Sequence, residues 1–270
     1  MRVLAGLSPR RRSLALMLAV LAAVLVAIVV VRVVRSPAPA NIDRSRPGPV
    51  LLVPGYGGST GSLEVLAGHI RATGREAEVV RLPGDGTGDL AEQAATLQGA
   101  VAASLKDGAS SVDLVGYSAG GVVVRLWAAR YGDVRALRRV VTLGAPLHGT
   151  QLASAGQAAV PGACPLACQQ LVPGSALLSE LDAASLPPGV SWVSVWTRDD
   201  RTVTPPDSAR LPGAVNVAVQ DVCPNETVTH SGLPVDPAVI GLVLREIGTA
   251  PVTHPEPADC AALRSAGGNG

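Results

Sequence analysis

The segment from residue 112 to residue 124 constrains the fold of this chain more than any other. It reads VDLVGYSAGGVVV, which is a short apolar strand, a serine flanked by glycines and the beginning of a helix. This is the sequence form of a nucleophile elbow, a sharp turn that presents a serine hydroxyl at the end of a strand. Gly116 and Gly120 would let the neighbouring backbone pass close to this turn. The pattern predicts a nucleophilic Ser118, although a G-x-S-x-G match also occurs in ordinary turns between a strand and a helix.

Apolar strands alternate with helices along most of the chain. The pattern predicts strands at residues 50–53, 78–82, 112–115, 140–143, 192–196 and 215–219, and helices at residues 62–73, 90–105, 122–131 and 237–247. Such alternation is typical of the α/β class, a mostly parallel sheet covered by helices on both faces. It lapses over residues 147–188, which we expect to form either a cap near the site or a surface insertion. The tail, residues 251–270, is expected to be loop-like.

The N-terminal region is predicted to lie outside this fold. Residues 14–31 are an unbroken run of 18 apolar residues between arginines, long enough for a membrane-spanning helix. The run is longer than a usual signal-peptide core of about 7 to 15 residues, which favours a retained signal anchor over a peptide cleaved near residues 38–40. Either interpretation predicts export. The predicted organisation is an N-terminal segment 1–35, a linker 36–48, a catalytic domain 49–250 and a tail 251–270.

Charge and composition limit the classes of partner. The chain has 22 Lys and Arg residues against 21 Asp and Glu residues, but six of the arginines lie before residue 41, where there is no acidic residue. The rest therefore has 16 basic and 21 acidic residues, a net charge of −5. There is no Phe, and there are only three Tyr and three Trp residues to stack on bases. No nucleic-acid partner is expected of such a chain, and its oligomeric state is left open.

Four cysteines lie in the part of the chain that we expect to be exported. An even number in an oxidising compartment indicates two disulfides. Of the three possible pairings we favour Cys164 with Cys168, which closes a small loop, and Cys223 with Cys260, which holds the C-terminal tail. No paired Cys-x-x-Cys motif and no cluster of histidines accompanies them, so neither a metal site nor a cofactor is predicted.

A nucleophilic serine needs a histidine base within hydrogen-bond reach. In a chain with a nucleophile elbow the expected order is serine, then Asp or Glu, then histidine. His230 fits this order best, because it follows the strand at 215–219 and precedes the last helix. The other three histidines fit less well: His69 and His148 precede every plausible acid, and His254 lies in the Pro-rich tail.

The acid that orients the histidine should follow a strand that lies between the serine and the histidine in sequence. The strand at 192–196 leads into RDDRTVTP, which offers two adjacent candidates. We favour Asp200, because the spacing Asp-x-x-Val-x-Pro turns Val203 inward just after it. Asp199 would then be a solvated neighbour. Two further acids stay as weaker alternatives, Asp207 and Asp221.

Backbone amides should stabilise the oxyanion that forms when the serine attacks a carbonyl. One predicted donor is the amide of Ala119, directly after the nucleophile, and the other is the amide of Tyr56 in the glycine-rich loop after the first strand. This loop lacks the lysine of a phosphate-binding P-loop.

Five segments together resemble the α/β-hydrolase lipases and esterases secreted by bacteria, especially actinobacteria: VPGYGG from residue 53, GYSAGG from 116, TLGAPLHGT from 142, DDRTVTP from 199 and THSGL from 229. The resemblance covers about residues 49–250. It implies an α/β-hydrolase fold and metal-free ester hydrolysis. It also implies a triad of Ser118, Asp200 and His230. One departure is that many relatives have His-Gly where Pro54-Gly55 stands here.

The expected function is therefore hydrolysis of lipid or small acyl esters outside the cytoplasm, by an enzyme that the N-terminal helix tethers to the membrane. Two alternatives remain open: an acyltransferase that acts on cell-envelope lipids with the same triad, and an inactive binding module. The sequence does not predict the acyl chain length.

Overall fold

The computed structural model describes residues 42–159, 162 and 164–268, together with residues 10, 17, 18 and 20–27. The chain divides into two compact units, residues 1–40 and 41–270. The described residues of the first unit are helical. Among all described residues, none of the helices combines the length and the apolar character that a membrane span requires. The segment predicted as an anchor, residues 14–31, lies partly outside the described residues.

The described residues of the second unit form one parallel sheet. Among the described residues its strands are β1 (Val50–Val53), β2 (Ala77–Val79), β3 (Val112–Tyr117), β4 (Leu137–Leu143), β5 (Ser191–Trp196) and β6 (Val215–Ala218). They pair in the order β2-β1-β3-β4-β5-β6. All residues of β1 and β4 are buried, as expected for strands covered on both faces. The predicted α/β class is confirmed, although β2 ends at Val79 rather than at Leu82.

Helices cover both faces of the sheet. They are α1 (Gly61–Ala72), α2 (Leu90–Lys106), α3 (Ala119–Arg130), α4 (Gln151–Ala159), α5 (Leu166–Gln170), α6 (Ala176–Ala183), α7 (Val219–Val222), α8 (Pro237–Glu246) and α9 (Cys260–Gly268). Consecutive strand residues point to opposite faces. Leu114 of β3 thus packs in the core with α2 and α3. Val115 packs in the second core, which contains residues of α1, α8 and α9.

Two segments are more regular than predicted. The lapse at 147–188 contains α4, α5 and α6, whose Ala and Leu residues favour helix strongly even without a clear apolar stripe. The prediction of a loop-like tail is wrong for Cys260–Gly268, which form α9. This helix follows a capping box between Glu256 and Asp259, and its Leu263 is buried in the core that contains residues of α8.

Two disulfides are present, Cys164–Cys168 and Cys223–Cys260, and the described residues include no free cysteine. These are the pairings favoured from the sequence. Disulfides of this kind are typical of proteins in an oxidising compartment.

Candidate active site

The carboxyl ends of the parallel strands meet at one edge of the sheet, and the candidate residues follow three of these ends. Ser118 comes directly after β3, Asp200 lies in the loop after β5, and His230 follows β6. Open α/β sheets commonly bind their ligands at this edge. The topology thus brings together residues that are more than 100 positions apart in the sequence.

Ser118 occupies a sharp turn between β3 and α3. Its φ and ψ are 52° and −127°, and no other non-glycine residue in the described part of the chain has a positive φ. This region of backbone space is costly for a residue with a side chain. The flanking glycines allow the turn, since a Cβ on Gly120 would lie 2.2 Å from the carbonyl oxygen of Val53. A Cβ on Gly116 would lie 2.6 Å from the Cα of Gly121.

His230 bridges the serine and the acid. Its Nε2 lies 3.0 Å from Ser118 Oγ, and its Nδ1 lies 2.7 Å from Asp200 Oδ2. All three residues are buried. A carboxylate can only accept, so the Nδ1–H donates to Asp200, and Nε2 is left to accept from the serine hydroxyl. A serine whose proton can pass to a histidine in this way is an activated nucleophile.

The backbone after β5 gives the two adjacent acids, Asp199 and Asp200, different surroundings. Asp200 Oδ1 accepts hydrogen bonds from the amides of Thr202 and Val203, both at 2.8 Å, so that Oδ2 is free for the imidazole. Val203 is 1% exposed, which is the inward turn expected from the sequence. Asp199 is exposed, and its Oδ2 accepts from Gln220 Nε2 at 3.2 Å.

Tyr117 also contacts the histidine, a contact that sequence reasoning missed. The two ring centroids are 5.2 Å apart, and the Tyr117 hydroxyl donates to the backbone oxygen of His230 at 3.3 Å. Burial, with a smaller contribution from the charge of Asp200, raises the pKa of Tyr117 to about 12, so the hydroxyl remains a donor at neutral pH. A Cβ on Gly144 would lie 3.1 Å from Nδ1, so the imidazole is confined on this side too. The only sequence signal for Tyr117 was its place next to the serine.

Both predicted oxyanion donors belong to backbone that adjoins Ser118. The loop after β1 approaches Ser118 so closely that a Cβ on Gly55 would lie 2.9 Å from the serine Cβ. Ala119 is the first residue of α3, where amides have no acceptor within the helix. In the described part of the chain, neither the Tyr56 amide nor the Ala119 amide donates to a backbone carbonyl. Free amides at a helix N-terminus attract negative charge.

The other candidate bases and acids make contacts away from Ser118. His148 Nδ1 lies 2.9 Å from Asp182 Oδ1, which joins the loop after β4 to α6. His254 Nε2 lies 3.1 Å from the backbone oxygen of Asn216. The remaining candidates are His69 in α1, the exposed Asp207, and Asp221, which forms an ion pair with Arg198.

A cavity of about 190 Å³ lies beside Ser118. It is lined by Tyr56, Ser118, Pro146, Thr150, Leu152, Ala153, Cys168, Leu171, Thr202 and Val203. None of these side chains carries a charge. Four of them belong to α4, α5 and the residue after α5, so the segment predicted as a cap or an insertion forms part of the wall.

Several solved structures are similar in fold to this chain. The chain is similar to lipase B of Aspergillus fumigatus, with a TM-score of 0.64 and 18% identity over 83% of this chain and 58% of that one. It is also similar to the mature lipase BlEst2 of Bacillus licheniformis, with a TM-score of 0.56 and 18% identity over 82% of this chain and 94% of that one. A third similar structure comes from a report on the metagenome-derived lipolytic enzymes LipS and LipT, with a TM-score of 0.57 and 17% identity over 74% of this chain and 93% of that one.

The chain has the α/β-hydrolase fold. It spans 58% of the length of the Aspergillus lipase. No protein-family model and no curated protein matches the sequence. At such low identity the α/β-hydrolase likeness concerns the fold, and the function has to be argued from the site itself.

Proposed function

We propose that this protein is a serine hydrolase that cleaves carboxylic esters. The observation that carries this function is the hydrogen-bonded chain from Ser118 Oγ through the His230 imidazole to Asp200 Oδ2, with distances of 3.0 Å and 2.7 Å. The strained backbone of Ser118 supports it, because such strain is concentrated at active sites. The solved structures of similar fold are named as lipases or lipolytic enzymes, which favours an ester over other acyl substrates.

The first half of the reaction forms an acyl-enzyme. Ser118 Oγ attacks the carbonyl carbon of the ester while its proton passes to His230 Nε2, and Asp200 stabilises the resulting imidazolium. The carbonyl oxygen becomes an oxyanion that accepts hydrogen bonds from the amides of Tyr56 and Ala119. When the carbonyl re-forms, the bond to the alcohol oxygen breaks, and this oxygen takes the proton from His230.

The second half repeats these steps with water. A water molecule gives a proton to His230 Nε2 as its oxygen attacks the acyl carbon. The bond from that carbon to Ser118 Oγ then breaks, Oγ regains the proton from His230, and the carboxylic acid leaves. No group other than these side chains and amides is needed for the proton to return to its starting place.

The protein is proposed to act outside the cytoplasm. Its two disulfides favour an oxidising compartment. We propose that the apolar run at residues 14–31 directs export and stays attached as a signal anchor. Sequencing the N-terminus of the protein isolated from membranes separates a retained anchor from a cleaved peptide.

Substitution of the nucleophile tests the proposed reaction. In the full-length protein, Ser118→Ala should lower kcat for nitrophenyl butyrate by about 10⁴-fold or more. It should also abolish covalent labelling by a fluorophosphonate probe, which reacts with activated serines. The matched control is Ser179→Ala on the exposed face of α6, whose hydroxyl donates only to a backbone carbonyl. Parental hydrolysis by Ser118→Ala would refute the proposed mechanism.

A further inference from the structure

We propose that the cavity beside Ser118 holds the acyl chain of the substrate, and that its size limits productive binding to acyl chains of short to medium length. This inference rests on the proposed function, since it concerns the ester that Ser118 would attack. It names the substrate class, which neither the fold nor the triad determines.

The position of the cavity fits the acyl side of an ester. Both Ser118 and Tyr56 line it, so a carbonyl carbon at the serine hydroxyl, with its oxygen toward the proposed amide donors, has the cavity directly beside it. Much of the rest of the wall is apolar. Burial of an alkyl chain against such a wall is favourable, whereas a charged acyl group would find no partner among the lining side chains.

The volume of the cavity sets the length of the chain that it can bury. A water molecule's share of liquid volume is about 30 Å³, and a methylene group is of similar size. The cavity of about 190 Å³ therefore accommodates roughly six such groups. Each methylene that becomes buried should raise kcat/KM by about fourfold. Further methylenes would remain in water and add little.

The walls of the cavity are held together by hydrogen bonds. The Thr150 hydroxyl donates to the Thr202 carbonyl at 2.8 Å and accepts from the Thr204 amide at 3.0 Å. The Thr150 amide donates to the carbonyl of Leu171 at 3.0 Å. One residue thus joins the beginning of α4 to the loop that carries Asp200 and to the end of α5. A cavity held in this way is preformed, so its volume in the free protein is the volume that a substrate meets.

Ala153 is the residue whose size should set the limit. It is 7% exposed, whereas the adjacent Leu152 is 54% exposed, so Leu152 lies at the mouth of the cavity and Ala153 at its inner wall. The Sγ of Cys168, another residue of the cavity wall, lies 3.9 Å from the Ala153 carbonyl oxygen and is fixed by the disulfide to Cys164. A larger side chain at 153 would therefore extend into the cavity.

The test is a chain-length profile of the full-length protein on nitrophenyl esters from acetyl to dodecanoyl, at concentrations below micelle formation. For the parent protein, kcat/KM should rise up to about the hexanoyl or octanoyl ester and then level off or fall. Ala153→Leu adds three carbon atoms that occupy part of the cavity. The rise of kcat/KM should therefore end at an acyl chain that is two to three carbons shorter than for the parent protein. The octanoyl-to-acetyl ratio of kcat/KM should then fall by about tenfold or more.

Two further variants keep the test independent of the folding of Ala153→Leu. Leu171→Ala enlarges the cavity, so kcat/KM should continue to rise to longer acyl chains than in the parent protein. The matched control is Ala155→Leu, because Ala155 is exposed on the same helix and does not line the cavity, and it should keep the parental profile.

A parental profile that still rises at the dodecanoyl ester would overturn the inference and leave the proposed function intact. The same holds if neither Ala153→Leu nor Leu171→Ala changes the ratios between esters. Absence of hydrolysis and of fluorophosphonate labelling in the parent protein would instead refute the proposed function, and the inference with it.

Discussion

Asp199 and Asp200 are adjacent in the chain, yet only Asp200 faces the imidazole of His230. The two backbone amides that bind Asp200 Oδ1 fix the carboxylate, and its second oxygen then selects the tautomer with a proton on Nδ1. In Asp200→Asn, an amide NH₂ facing Nδ1 would favour the opposite tautomer, in which Nε2 cannot accept the serine proton. We expect kcat for nitrophenyl butyrate to fall by about 10⁴-fold with little change in the melting temperature.

Asp199→Asn is the matched control. Its carboxylate is exposed and interacts with Gln220, so kcat should stay within about twofold of the parent. If Asp199→Asn were as inactive as Asp200→Asn, the assignment of the orienting acid would be wrong.

The sequence predicts which residues form the candidate site better than it predicts the contacts that hold them in place. Ser118 could be found because a strained turn needs glycines around it, and His230 because the order of strands restricts what can reach that turn. The choice between the two acids followed from the inward turn at Val203. The contact of Tyr117 with His230 was not predictable, because it depends on how the loop after β6 crosses the sheet edge.

Whole elements were predictable where burial imposes a pattern on the sequence. Strands β1 and β4 are buried on both faces, and the apolar residues that such burial favours locate these strands to within a few residues. Helices α4, α5, α6, α7 and α9 were missed. In α4, α5 and α9 few residues are buried, so the apolar spacing is correspondingly weak. Part of the cavity wall belongs to α4 and α5, so the substrate class could not be inferred from sequence alone.

The residue that caps the N-terminus of α8 should make the stability of the protein depend on pH. Asp236 caps this helix by accepting from the amides of Ala238 and Val239 at 2.9 Å and 3.1 Å. Burial raises the pKa of Asp236, and the nearby negative charge and hydrogen bonding of Glu226 raise it further. Glu226 itself forms an ion pair with Arg264 of α9.

We expect Asp236→Asn to gain stability relative to the parent as the pH rises. Because the folded-state pKa lies above the unfolded value of about 4, the stabilisation from protonated Asp236 is fully present below pH 4. It is lost as the pH rises through the folded-state pKa. Asn keeps an acceptor for the α8 amides without a charge, so it avoids this loss.

Urea unfolding of the parent and the variant at pH 4 and pH 7 measures this difference. Asp236→Ala, which removes the acceptor as well, should be less stable than Asp236→Asn by about 1 kcal/mol at either pH. A stability difference between parent and Asp236→Asn that does not change with pH would show that the carboxyl titrates alike in the folded and unfolded chain.

At the scale of the whole molecule, the two disulfides should differ in what they contribute. Cys223–Cys260 joins residues 37 positions apart and attaches α9 to the rest of the second unit, whereas Cys164–Cys168 joins residues only four positions apart. The loss of chain entropy on closing these loops corresponds to about 4 and about 2 kcal/mol of stabilisation, respectively. Only the smaller loop lies at the cavity, through Cys168.

Removal of either disulfide should therefore lower stability, but removal of only one should change specificity. The double variant C223A/C260A should lower the free energy of unfolding by about 4 kcal/mol and C164A/C168A by about 2 kcal/mol, as measured by urea denaturation. The chain-length profile should change only in C164A/C168A, because this variant removes the Cys168 sulfur that lies next to Ala153 in the cavity wall. The opposite order of stabilities would mean that native contacts of α9, rather than loop closure, hold the C-terminus in place. A changed profile in C223A/C260A would show that the cavity depends on packing far from its own walls.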